Sequence, residues 1–491
     1  MKRVAIVGMG VAGVDVLTHL TEAGFDGRID CYDERQQFGS GLPYQEDFDI
    51  FLLNPRSHAI SLNPDRPKEF AEWVKEKGLT LETFMPRRIF GQYMREKLEH
   101  LLQNEHVHVH YQHIQHVQVL ETGEKERYQL TYQSADQTSV QEVYDAVFLC
   151  LGHAPSQDPY HLNDSPYFIQ NPYPIRESLQ AVPMHQRAAV IGMGLTGVDM
   201  VRALMMEREA KEVVMFSRSG QLPIVRGTET VVEPVHLTIE AVQKAVATPG
   251  QLTLPLEQVE EWFFKDLAHY QFDLERINQW VGASVEQLRA NLNDLDEAGR
   301  FQAYVAKLRW VLRALWSHLS RQDQMRFAQK YQRSFIAFSN PMAPPVAEKL
   351  LEWMETGRLI TTDQVDDIIQ LKAQQTGHFM IQYKNKTTTT VDWILNGIGS
   401  QTDFSQCQTD QPLVQQLLND RVVEPNGRMG LMIHDTHSSV LSSRYGELRA
   451  LKLFGQMVSG TDYQNNSTFV LYRTTQKGVH DALNYLKDKK V

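Results

Sequence analysis

The sequence predicts an α/β protein of two parallel-sheet units, the second inserted into the first, with a helical segment added to the second. Three observations predict it. A glycine turn of the form Gly-x-Gly-x-x-Gly occurs twice, at residues 8–13 and 192–197, each after a short apolar run and before an amphipathic one. Residues 4–20 and 188–204 align without a gap and share eight of seventeen positions. An eight-residue segment running from Asp to Gly also repeats, at residues 145–152 and 392–399, each time after its own glycine turn.

The elements follow in order. Residues 4–7 read as a strand and 8–13 as a turn. Val14, Val16, Leu17 and Leu20 mark a helix face, and 29–32 form the next strand. Residues 65–104 read as helical, and 108–119, 128–133 and 145–151 as successive strands. The pattern then restarts with a strand at 189–191, a helix over 199–206 and a strand at 213–217. Residues 256–330 read as helical throughout, with no proline between Pro255 and Pro341. Trp262, Trp280, Trp310 and Trp316 of that stretch are expected in its core. Strands return over 359–400, with an edge strand at 387–390. An amphipathic helix carrying Val479, Ala482, Leu483 and Leu486 runs from residue 476. The expected division is 1–175 with 400–491, then 185–230 with 345–399, and a helical insert at 235–340.

Composition narrows the function. The chain has 491 residues, 42% of them hydrophobic and 22% charged, which excludes disordered and fibrous classes. Its net charge of −11 argues against nucleic acid, whose phosphates need a basic face, yet leaves room for a basic pocket around one phosphate. Cys31, Cys150 and Cys407 are far apart and form no C-x-x-C pair, against a disulfide scaffold, a thiol-redox centre or a zinc knuckle. The chain reads as cytoplasmic. The apolar start is too short for a signal peptide, and no run approaches the ~18 residues of a membrane span, so no membrane partner is expected. Self-association into a homo-oligomer stays open.

The glycines carry chemistry. Gly8 and Gly192 would make the tight turn, Gly10 and Gly194 would let backbone approach a pyrophosphate, and Gly13 and Gly197 would let helix pack on strand. The helix starts at Val11-Ala12 and Leu195-Thr196 would then aim unpaired N–H groups at phosphates. Thirteen residues past Leu20 and Leu204 stand Asp33-Glu34 and Ser217-Arg218-Ser219. A carboxylate accepts hydrogen bonds from ribose hydroxyls and repels a 2′-phosphate; an arginine does the reverse. The first site therefore suits an unphosphorylated ribose, as in FAD or NAD, with Asp33 preferred to Glu34 because it sits at the strand end. The second favours NADPH. Gly152 ends its repeat where chain passes close to a cofactor. His106, His108, His110, His113 and His116 crowd one stretch, but strand alternation accounts for the first three. No metal is expected there or at His434, Asp435 and His437.

With these turns in register, the chain resembles the YdhS-like FAD/NAD(P)-binding flavoproteins, distant relatives of flavin-dependent N-hydroxylating monooxygenases and of glutathione-reductase-like two-domain enzymes. The matching stretches are the two turns, residues 38–44 (Phe-Gly-Ser-Gly-Leu-Pro-Tyr), 53–55, 61–62, 217–223, 344–347, 430–432 and 453–460. The resemblance implies two Rossmann-like domains, the nicotinamide domain inserted into the FAD domain. It implies FAD along Gly8, Gly10, Gly13 and Asp33, followed by Gly39, Gly41, Leu42 and Tyr44, with Asn54 nearer the flavin. Val117 would offer its backbone to adenine, and Gly152 and Gly455 would close around the flavin. Two departures stand out. Residues 335–340 read Phe-Ile-Ala-Phe-Ser-Asn where relatives carry a basic, histidine-rich stretch, and the fingerprint F-x-G-x-x-x-H-x-x-x-[FY] is absent.

Flavin carries the redox chemistry in such a protein, and the chain supplies position and electrostatics. The expected activity is an NADPH-using, FAD-dependent oxidoreductase of monooxygenase type acting on a small molecule. A flavin-dependent dehydrogenase or reductase and a regulatory FAD/NADP-binding module stay open beside it. No catalytic side chain is assigned, although Arg56, Ser57 and His58 follow Asn54 on one loop.

Overall fold

The computed structural model describes residues 1–491 apart from 36–37, 121–124, 155, 248–252, 317, 372–376, 401–402, 405–410, 428, 462–466 and 488–491. The chain divides into two compact units, one of Met1–Gln157 with Ser400–Val491, the other of Asp158–Gly399. Among the described residues, no helix is long and apolar enough to cross a membrane.

In the first unit the apolar strand Arg3–Val7 lies between Arg28–Tyr32 and Ala146–Leu149, parallel to both. Val107–His110 extends the sheet on one side. Gly446–Leu453 and the antiparallel Ser439–Ser442 extend it on the other, making six strands. Such a sheet is covered on both faces, which is why its central strands are continuous apolar runs. Helix Val11–Glu22 buries Val14, Val16, Leu17 and Leu20, and its His19 Nε2 lies 3.1 Å from the carbonyl oxygen of Tyr472 in helix Thr468–Lys487. That last helix begins eight residues before the expected start, because Val470, Leu471 and Tyr472 already belong to its buried face. The expected strand over 108–119 is two strands in two sheets. Val107–His110 stays in the parallel sheet, while Ile114–Leu120 joins Arg127–Gln133 and Ser139–Tyr144 in an antiparallel one. Ser139–Tyr144 escapes a sequence reading because only its last residue is fully buried.

The second unit repeats the plan. Its five parallel strands run in the order Leu359–Thr362, Glu212–Phe216, Arg187–Ile191, Trp393–Asn396, Phe168–Ile169. The two glycine turns thus lie on separate sheets. Phe168–Ile169 corrects one expected boundary: it pairs with Trp393–Asn396, so residues 158–175 belong to the second unit rather than the first. Beside the parallel sheet lie the antiparallel strands Val365–Gln370, Phe379–Tyr383 and Thr388–Val391, the last at the edge.

In both units helices fill a connection between successive strands of the parallel sheet, between Arg28–Tyr32 and Val107–His110 in the first and between Glu212–Phe216 and Leu359–Thr362 in the second. The first unit places Glu69–Glu76 and Arg87–Leu101 there. The second places a helical array there, from Ile239–Val246 to Pro344–Glu355, whose longest member is the 22-residue Leu295–Trp316. Of the four tryptophans expected in its core only Trp280 is buried, and Trp310 is 43% exposed. The core is built instead from Phe301, Tyr304, Leu308, Leu312 and Leu315 on one face of the long helix. The buried Asp266 carboxylate accepts from the N–H groups of Val235, His236 and Leu237 and from the Tyr304 hydroxyl, fixing the entry to the array.

Candidate functional site

The two glycine turns make matching contacts. Gly8 and Gly192 have φ of +95° and +108°. A Cβ there would stand 2.1 Å from the Cys150 carbonyl oxygen and 2.5 Å from that of Gly397, so no side chain is admitted. Their N–H groups donate to Tyr32 and Phe216 at 2.8 and 2.7 Å. A Cβ at Gly13 or Gly197 would stand 2.1 Å from the carbonyl oxygen of Gly8 or Gly192, which is the close helix-on-strand contact the third glycine serves. The repeat that opens on Asp145 and Asp392 has a reason missed in the sequence. Each carboxylate accepts the first N–H of the neighbouring central strand, Arg3 at 2.8 Å and Arg187 at 3.0 Å.

The turns leave groups open. Gly10 and Gly194 are the N-caps of helices Val11–Glu22 and Leu195–Glu207, and neither helix has a side-chain cap. The first-turn amides, headed by Val11-Ala12 and Leu195-Thr196, therefore lack intrahelical partners and form anion-binding ends. A Cβ on Gly194, Gly152 or Gly455 would meet nothing within 4 Å, and one on Gly10 would meet only Gly41, at 3.3 Å. Gly152 and Gly455, at φ +70° and +92°, lie just past the ends of two neighbouring parallel strands. Just beyond Val107–His110, the amide oxygen of Gln112 is buried with no hydrogen-bond partner among the described residues. Open glycines, unpartnered amides and an orphaned acceptor fit a bound dinucleotide.

Asp33 ends the second strand and holds the first turn. Its Oδ2 accepts the Met9 N–H at 2.6 Å and its Oδ1 the Glu34 N–H at 2.8 Å. Burial pushes its carboxyl up, against the pull of those two amides. Glu34 turns away to His113 at 2.7 Å. Gly39, at φ +83°, is buried: its N–H donates to the Met9 carbonyl, and a Cβ would stand 2.9 Å from Arg95 Cα. It anchors the loop, while Gly41 faces Gly10. Leu42 is exposed, and Tyr44 packs against Phe90. Asn54 is half-buried. Ser57 is committed to its loop, donating to the Thr83 carbonyl and accepting from the Met85 N–H.

Val117 does not offer its backbone as expected. Its N–H donates to Gln416 Oε1 at 2.9 Å, and its carbonyl accepts from Gln416 Nε2 at 3.2 Å. A side chain 299 positions away occupies that peptide, and Val117 itself is fully buried. His153, beside Gly152, is a residue that the sequence reading passed over; burial lowers its pKa.

In the second unit Ser217 replaces the carboxylate. Its hydroxyl accepts the Gly220 N–H at 3.2 Å and lies 3.1 Å from the Ser219 hydroxyl. Arg218 is exposed, with no ion pair among the described residues, and its positive charge acts on the phenol of Tyr160. Asp33 and Ser217 each directly follow the second strand after their turn, with Glu34 and Arg218 one residue further on.

Other titratable clusters have structural duties. His110 and His116 pair with Asp30 and Asp420. His434, His437 and Glu447 bring ligand atoms within 4.8 Å of one another, but His437 Nδ1 is engaged with Ser439 Oγ, which also accepts from the ammonium of Lys452. Cys31 and Cys150 are buried, which pushes both thiols up and makes them poor nucleophiles. Cys407 lies outside the described residues.

Residues 5–154 match the protein-family model described as FAD-NAD(P)-binding. Over 419 residues the chain is 21% identical to the uncharacterized protein YdhS of Escherichia coli (strain K12), covering 73% of this chain and 76% of that one. Among solved structures it is similar to the ornithine N-hydroxylase of Kutzneria sp. 744, with reduced FAD, NADP+ and L-ornithine, at TM-score 0.61 and 13% identity over 99% of both chains. It is similar also to the L-lysine 6-monooxygenase of Pseudomonas syringae, at TM-score 0.58 and 13% identity over 99% of this chain and 100% of that one. The amino-terminal part of the first unit is thus an FAD-NAD(P)-binding domain, and the chain as a whole has the fold of these hydroxylases.

Proposed function

We propose that the chain is an FAD-dependent oxidoreductase that draws on NADPH and oxygenates a small molecule, in the manner of a monooxygenase. One observation carries the reading: the two turns share their glycines but not the residues that follow the second strand, Asp33-Glu34 after the first and Ser217-Arg218 after the second. In this reading the first unit holds FAD, with its pyrophosphate over Gly8, Gly10 and Gly13 and the amides of Val11 and Ala12. Asp33 takes a ribose hydroxyl, and Gly152 and Gly455 leave room for a flat ring. The second unit holds NADPH through Gly192, Gly194, Gly197 and the amides of Leu195 and Thr196, with Ser217, Arg218 and Ser219 at the phosphorylated ribose.

The chemistry FAD supplies when bound is two-electron transfer from a reduced nicotinamide to oxygen or an organic acceptor. The chain's own share is binding and orientation. Two dinucleotide sites of opposite ribose chemistry support an enzyme over a binding module. The fold shared with ornithine and lysine hydroxylases supports oxygen as the acceptor. The buried Cys31 and Cys150 speak against a thiol relay. We place the protein in a reducing compartment, the cytoplasm, with a small molecule as its partner.

The test is anaerobic mixing of the FAD-loaded protein with NADPH, followed by admission of heavy-isotope oxygen in a panel of small amines and thioethers. Bleaching of the flavin and isotope in a product support the reading. Bleaching without isotope incorporation for any compound would reassign the protein as a dehydrogenase or reductase, and a flavin that NADPH leaves oxidised would remove the enzyme reading altogether.

A further inference from the structure

Past the ends of the strands Glu212–Phe216 and Leu359–Thr362, the helical array and the sheet border an open cavity of about 820 Å³. Ser219, Gly220 and Gln221 border it from the strand Glu212–Phe216, and Thr361, Thr362 and Asp363 from the strand Leu359–Thr362. Ser284, Lys330, Arg333 and Ser334 border it from the array. The cavity is fastened in place: the Thr361 hydroxyl donates to the Ala283 carbonyl at 2.6 Å, and the Leu222 N–H to the Gly282 carbonyl at 3.0 Å.

Its polar inventory points to an anion. The side-chain amide nitrogen of Gln221 is buried and has no acceptor among the described residues. A buried donor left unmade is destabilising, and in a native structure it calls for a partner. Arg333 is exposed and carries no ion pair among the described residues. Lys330 is held by Glu260 at 3.1 Å, so the uncommitted cation in the lining is Arg333. Asp363 is the lining carboxylate, and its Oδ1 accepts from the Gln364 amide. In open α/β sheets a ligand lies outside the carboxyl ends of the strands, and this cavity begins one residue past Arg218.

We propose that this cavity receives the 2′-phosphate of NADPH, with Gln221 donating to a phosphate oxygen and Arg333 supplying charge from the helical array. The proposal rests on the NADPH reading and deepens it, because it makes the helical array part of the nucleotide site. It predicts that discrimination between NADPH and NADH is shared by the strand end and the array.

The experiment is calorimetric titration of the FAD-loaded protein with 2′,5′-ADP and with 5′-AMP. Wild type should bind 2′,5′-ADP the more tightly. Arg333→Ala and the isosteric Gln221→Glu should each weaken 2′,5′-ADP by roughly 10-fold or more and leave 5′-AMP unchanged. Arg333→Lys should restore part of the loss. Thermal denaturation adds a readout without ligand: Gln221→Leu removes an orphaned donor and should leave the melting temperature equal or higher. If Arg218→Ala abolishes the preference while Arg333→Ala and Gln221→Glu keep it, the cavity proposal is overturned and the NADPH reading stands. If wild type binds both ligands equally, both fall.

Discussion

Gly194→Ser separates the turn's duty to the fold from its duty to a ligand. Gly194 sits at φ −74° and ψ −177°, an extended conformation open to any residue, and its Cβ would meet nothing within 4 Å. Serine is also a favoured N-cap, since its oxygen accepts a first-turn amide. The fold should therefore melt at the wild-type temperature or slightly above. The same amide and the same space are what a pyrophosphate needs. A hydrogen bond to a charged group contributes about 1.5–3 kcal/mol, and about 1.4 kcal/mol is tenfold in affinity. Losing one amide should weaken NADP+ by about 10- to 150-fold. Gly197→Ala is the opposite perturbation. Its Cβ would stand 2.1 Å from the Gly192 carbonyl, so helix and strand must part, at about 1–3 kcal/mol of stability. Thermal melts paired with calorimetric titration of NADP+ read both variants. FAD content should stay unchanged in Gly194→Ser, because that residue lies in the other unit. A Gly194→Ser protein that binds NADP+ as wild type does would refute the assignment of this turn.

Four further outcomes are expected. Gly10→Val crowds Gly41, whose Cα would stand 3.3 Å from the added Cβ, and should yield folded protein without flavin absorbance, checked by spectra of purified protein after incubation with FAD. Arg218→Glu should shrink or reverse a preference for NADPH over NADH of about 10- to 150-fold, measured as the ratio of flavin reduction rates; an unchanged ratio would count against the residue. Burial would push the Asp30 carboxyl up, but His110 at 2.7 Å and Arg28 at 2.8 Å outweigh it and hold it below its ordinary value. A depressed carboxylate contributes stability that is present above its unfolded pKa and lost as pH falls through the folded one, so melts from about pH 5 downward should show an acid limb that Asp30→Asn flattens. Asp266→Ala strands the N–H groups of Val235, His236 and Leu237. At about 1–3 kcal/mol for each unsatisfied buried group, chemical denaturation should show a loss of at least about 3 kcal/mol in the second unit, with FAD content retained.

What the sequence discloses and what it hides follow from the range of the forces involved. The turns are legible because their constraint is local and steric. Where a Cβ would fall 2.1 Å from a carbonyl oxygen only glycine serves, so Gly8, Gly13 and Gly197 are written into the chain with fixed spacing. The exchange of Asp33 for Ser217-Arg218 is legible for the same reason, since a thirteen-residue offset from a helix position survives wherever helix and strand keep their lengths. The fate of Val117 is not local. Its peptide is taken by Gln416, and nothing near residue 117 could announce a partner 299 positions away. Phe168–Ile169 is a two-residue strand, too short to show a period, and its place is decided by Trp393–Asn396. The tryptophans mislead because apolar type alone does not decide burial. Leu295–Trp316 has a buried face of its own, and Trp310 lies off it. The cavity beside Ser219 is the extreme case. Gln221, Ser284, Arg333 and Asp363 come from four segments whose convergence depends on the packing of an entire helical array. A dinucleotide site thus has two kinds of residue: backbone-dictated glycines that any strand–turn–helix must repeat, and specificity residues recruited from whatever the fold brings near. The first kind is readable from spacing alone, and the second becomes visible only when an unsatisfied donor such as Gln221 marks where a partner is missing.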